Sequence, residues 1–103
     1  MVEVDFFTFL GERLEDKVIE PNKPTDPVPC SGYDRRTIYF ISDKAGKLTI
    51  ETVTPSGKWI PYYTTDVKAK ETKVLTVLDV LSLRLRFDQK AKVTAFYIFR
   101  KGW

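Results

Sequence analysis

The chain has 103 residues, with 17 Lys and Arg against 14 Asp and Glu, no histidine and a single cysteine. That length supports one hydrophobic core, so a single domain over residues 1–103 is expected. Lack of histidine removes the commonest general base and metal ligand, one cysteine allows neither an intrachain disulfide nor a zinc site, and lysines interleaved with carboxylates at a net +3 read as a solvated surface, not a nucleic-acid footprint.

At the start, Val2, Val4 and Phe6 alternate with Glu3 and Asp5, the period of a strand. Two strands are expected, over about 2–9 and 14–20. Phe6, Leu10 and Leu14 also fall at helical spacing, so a short N-terminal helix over 5–20, capped by Asp5, is the alternative. Thr8, Gly11 and the crowded phenylalanines favour strands. The start lacks the basic and apolar regions of a signal peptide, and no apolar run reaches the length of a membrane span. A cytoplasmic or particle-associated chain, with no membrane partner, is the expectation.

Pro21, Pro24, Pro27 and Pro29 exclude a helix or a central strand over 21–29, leaving a loop or a short edge strand. Cys30 is expected to be a small buried residue, and Ser31 to Asp34 a turn. Residues 37–59 carry the strongest local signals. Ile38 to Ile41 suit a strand buried on both faces. Ser42 to Gly46 break it, after which Leu48, Ile50 and Thr52 alternate with Lys47, Thr49 and Glu51, one face inward and one wet. Thr54-Pro55-Ser56-Gly57 fits a type I turn, and Trp59 opens a third strand whose Pro61 marks an edge or a bulge. The local grammar predicts two hairpins in succession, a three-stranded meander.

Residues 73–77 read as a further strand. Leu81, Leu83, Leu85 and Phe87 then alternate with Val80, Ser82, Arg84 and Arg86, and a one-residue slip would bury two arginines. In the last strand, over 92–100, Val93, Ala95, Tyr97 and Phe99 share one face; Phe96 and Ile98 make the other apolar too, as in a central or covered strand. About eight short strands separated by turns predict an all-β chain, an antiparallel β-sandwich of jelly-roll-like form.

No catalytic constellation, phosphate loop or metal set stands out in this sequence, and no enzyme activity and no cofactor are expected. Trp59, Tyr62 and Tyr63 are the candidate binding or interface residues; at period two, Trp59 and Tyr63 share a face. Exposed rings there would suit a carbohydrate, the alternative to a protein interface. Trp103, beside Gly102, is a further candidate for a subunit contact. Arg35, Arg36, Arg84 and Arg86 could form a basic stripe, but a solvated face is the simpler reading, so nucleic acid is not expected. One Asn, one Gln and one Met beside abundant Lys and Glu match the composition of thermophile proteins.

The stretch PVPCSGYDRR over 27–36, the SDKAGKLTIE turn and strand over 42–51, SGKW over 56–59 and LRLRF over 83–87 resemble small β-sandwich structural proteins of tailed phages and related virus-like particles. The resemblance spans about 27–100 and rests on turns and strands; the apolar N-terminal stretch departs from it. It implies a structural role, as a head-decoration or tail-associated module, with protein partners or self-association. No functional residue carries over, because the matching positions are structural ones.

Overall fold

The computed structural model describes residues 7–10, 14–77 and 80–101. Nine strands occur in them: β1 (Phe7–Leu10), β2 (Leu14–Ile19), β3 (Val28–Pro29), β4 (Arg35–Ser42), β5 (Gly46–Val53), β6 (Trp59–Val67), β7 (Lys73–Val77), β8 (Ser82–Phe87) and β9 (Ala91–Lys101). They form two antiparallel sheets. Sheet A runs β1-β9-β4-β7, with β2 beside β1 along the same edge of β9, and sheet B runs β3-β8-β5-β6. Successive strands change sheet at nearly every connection, and only β5 and β6 are joined as a hairpin among the described residues. The orders 2-9-4-7 and 3-8-5-6 are those of a jelly roll, as expected. No helix occurs among the described residues, so over 7–10 and 14–19 the helical alternative gives way to β1 and β2, while residues 2–6 of the first expected strand lie outside the described residues. The proline-rich stretch is loop, except for β3 at the edge of sheet B.

The core lies between the sheets and follows the expected alternation. Ile38 and Phe40 from β4, and Val93, Ala95, Tyr97 and Phe99 from β9, face Leu48 and Ile50 from β5 and Leu83, Leu85 and Phe87 from β8. Phe40 and Phe87 meet across the layers with ring centroids 5.4 Å apart. A large aliphatic or aromatic side chain buried this way contributes about 1.5–3 kcal/mol before entropy is counted. Two expectations shift. Tyr39 and Ile41, on the second face of β4, are half-buried instead of buried. Leu81 precedes the strand proper and is exposed, and Val80, in the crossing between sheets, takes the core position instead.

The predicted meander is half right. Residues 42–46 do not fold β4 back onto β5; they carry the chain from sheet A to sheet B. The connection from β8 to β9 crosses beside it, and the two arches are tied together. Asp43 N–H donates to Lys92 O at 3.1 Å, and Lys92 N–H to Asp43 Oδ1 at 2.9 Å. In the other layer Lys47 N–H donates to Asp88 Oδ1 at 2.8 Å, and Asp88 N–H to Lys47 O at 3.2 Å. Gly46 sits where the arches touch: a Cβ there would lie 2.5 Å from Asp88 Oδ1 and 2.9 Å from Phe87 Cζ. The second turn forms as read. Gly57 N–H donates to Thr54 O at 2.8 Å, and Gly57 takes a φ of 89°, open to a residue without a Cβ.

Candidate functional site

Of the residues singled out for binding, Trp59, Tyr62 and Tyr63 lie on β6, an edge strand of sheet B. β6 carries a bulge. Val53 pairs with Trp59, Thr52 with Ile60 and Glu51 with Pro61, but Ile50 pairs with Tyr63, leaving Tyr62 as the extra residue. Cross-strand partners share a face, and Ile50 and Val53 lie on opposite faces of β5. Trp59 is therefore on the outer face and Tyr63 on the inner one, contrary to the period-two reading. The inserted residue inverts the alternation. Tyr62 and Tyr63 are 43% and 50% exposed, and Ile60 is exposed beside them. Trp59 is half-buried. Trp103 lies outside the described residues.

What partly covers Trp59 is Arg84, whose guanidinium carbon stands 4.3 Å from the ring centroid, within cation–π range. Arg84 lies on the outer face of β8, opposite Glu51 of β5. Its Nε donates to Glu51 Oε1 at 2.7 Å, while Arg86 Nε donates to Oε2 of the same carboxylate at 3.1 Å. Arg86 Nη1 also reaches Asn22 Oδ1 at 3.4 Å. Beside them, the Thr49 and Thr64 hydroxyls lie 3.1 Å apart. These long side chains lie over the strand, so Glu51 and Thr49, expected to be wet, are buried. The resulting surface is a carboxylate clamped between two guanidiniums, one of them stacked on an indole. Glu51 and the two arginines each stood on a wet face in the sequence. Nothing local showed that β5 and β8 would be neighbours.

No shared basic stripe forms from the arginines. Arg36 points into the sandwich, 4% exposed, with Nε donating to Cys30 O at 2.9 Å. Arg35 is exposed on the far sheet. Cys30 is buried and free, its Sγ 3.7 Å from Val80 O. Burial pushes its pKa up, with the neighbouring Arg36 pulling the other way. Farther along β6, Lys47 Nζ and Asp66 Oδ1 pair at 2.9 Å. The hydrogen bond and the attraction of opposite charges lower the Asp66 pKa and raise that of Lys47.

On the outer face of sheet A, Val74, Tyr39 and Phe96 form one cross-strand row, with Val74 53% exposed. A groove of about 320 Å³ runs between β2 and the loop at 23–26, lined by Glu15, Lys17, Glu20, Lys23 and Asp26 among others. Its charges are mixed, and none of the predicted binding residues lies in it. No group of three or more potential metal ligands occurs among the described residues, and no helix among them is long and apolar enough to cross a membrane.

No family model matches the chain, and neither does any curated protein sequence. Among solved structures, the fold is similar to that of the SPBc2 prophage-derived protein YomS, with a TM-score of 0.65 over 95% of this chain and 98% of that one, at 8% identity. Identity that low shows a common fold and nothing finer. A second similarity, to Drosophila melanogaster CENP-C bound to CAL1, has a TM-score of 0.38 at 12% identity, over 89% of this chain and 63% of that one. It supports no argument.

Proposed function

We propose that this chain is a non-enzymatic structural module of a phage-type or virus-like particle, acting through protein–protein contacts. The observation that supports the reading most is the shared fold with a prophage-derived protein over nearly the whole of both chains. The phage-like turn and strand motifs agree with it. So does the surface: Val74, Ile60, Tyr62 and Tyr63 leave large apolar or aromatic groups in solvent on both sheets, the kind of residue that assembly buries.

Light scattering behind size exclusion tests the proposal. The expected result is a mass above the 11.9 kDa monomer that grows with concentration, or a stable complex with the product of a neighbouring gene. A strict monomer, from a gene with no portal, terminase or tail genes beside it, counts against the reading. The carbohydrate alternative is weaker on this geometry, because Trp59 and Tyr63 face opposite ways and Arg84 lies against the indole. Capture of an oligosaccharide on a glycan array, abolished by Tyr63→Ala, would reverse that preference.

A further inference from the structure

We infer that the outer face of sheet B around Arg84 and Arg86 docks an extended protein segment carrying carboxylates two residues apart. The inference rests on the assembly reading and names the chemistry of the partner. Arg84 and Arg86 stand two positions apart on one face of β8, so their attachment points are about 7 Å apart. Any extended chain presents side chains at alternate positions with that same interval, so two carboxylates on a partner strand meet two guanidiniums in register.

The donors are set before binding. Glu51 occupies the Nε edge of each arginine, and the Trp59 ring lies against Arg84. Among the described residues, the terminal nitrogens of Arg84 have no hydrogen-bond acceptor, and Arg86 has only the long contact from Nη1 to Asn22. Those ends form planar forks that suit carboxylates, held in place at little further entropic cost. Two guanidiniums against one carboxylate leave the cluster with one net positive charge. That is enough for a short acidic segment and too little for a polyphosphate backbone, whose affinity grows with each phosphate neutralised.

The test uses the full chain and a blocked five-residue peptide with glutamates at its second and fourth positions and threonines elsewhere. Binding is followed by NMR at the arginine Nε–H and tryptophan indole resonances. The expected result is a saturable shift at Arg84, Arg86 and Trp59, screened by salt. Affinity falls at least about tenfold when the peptide glutamates become glutamines, and by as much in Arg86→Gln. Arg86→Gln leaves the contact of Arg84 with Glu51 in place; Arg84→Lys, which keeps the charge and loses the fork, is a second variant expected to weaken binding. Equal binding of the glutamine peptide overturns the inference, as do shifts confined to another surface. An oligothymidylate that moves the same resonances at lower concentration overturns it too. A chain that assembles in light scattering yet ignores the peptide sinks this inference alone. A strict monomer that binds the peptide yet forms no complex with the product of a neighbouring gene sinks the assembly reading alone.

Discussion

Replacing Glu51 with glutamine keeps the shape of the side chain and removes the charge that two arginines share. Its oxygens accept from the Arg84 and Arg86 Nε groups at 2.7 and 3.1 Å. The Glu51 side chain is 11% exposed, and those of the arginines are 23% and 32% exposed. Breaking a fully buried pair from one side costs about 3–5 kcal/mol, and breaking an exposed pair about 0–1 kcal/mol. Here the freed guanidiniums regain water, and the glutamine oxygen can still accept one bond. The expected loss is therefore about 2 kcal/mol, between those limits. For a domain of this size that lowers Tm by roughly 10 °C. Urea unfolding followed by circular dichroism measures it directly. The cycle with Arg84→Gln and Arg86→Gln gives the sharper reading. In that double variant Glu51 is a buried carboxylate without a guanidinium, so Glu51→Gln should then be neutral or stabilising. A loss below about 0.5 kcal/mol in the parent chain, or the same loss in both backgrounds, would refute the account of the clamp.

Gly46→Ala should destabilise by about 1–3 kcal/mol in the same assay, because its Cβ meets the Asp88 carboxylate and the Phe87 ring where the arches touch. In the native chain the Cys30 thiol should resist a thiol-reactive dye until unfolding exposes it. Burial raises its pKa above the ordinary 9.0, so the folded state holds the proton more tightly than the unfolded one. Its contribution is thus complete below about pH 9 and is lost as the pH climbs toward the native value, a loss that Cys30→Ala should remove from the alkaline unfolding curve. The Asp66 carboxyl, held down by Lys47, should titrate below the usual aspartate range by NMR. Lys47→Gln should move its midpoint back up, and so should added salt.

Much of the fold was legible in the chain. The alternation of Leu83, Leu85 and Phe87 with Arg84 and Arg86 set the faces of β8 correctly, since only one phase keeps the arginines out of the core. Pro61 marked an edge strand or a bulge, and the structure has both. What failed was whatever depends on the partner of a strand. The Ser42–Gly46 break looks the same whether the chain turns back in one sheet or crosses to another, because local turn chemistry does not encode which layer receives the next strand. The bulge at Tyr62 inverted the alternation beyond it, which separated Trp59 from Tyr63. Long side chains reaching from β8 buried Glu51, which its own strand presented to water. The clamp needed two strands distant in sequence to be adjacent in space, and no local pattern records that.

The layer-switching course of the chain has a consequence for how it folds. Among the described residues, β1 and β2 pair with no strand but β9, the last of the nine described. During synthesis these first two strands have no seat in a sheet until residues 91–101 emerge, and β3 waits for β8. Among the described strands, only the β5–β6 hairpin can form from neighbouring residues. Such distant pairing places the chain among slow folders, on a scale of roughly milliseconds to seconds. Until β9 arrives, the edge of β4 that it covers and the apolar faces of both layers stay open to any other chain nearby.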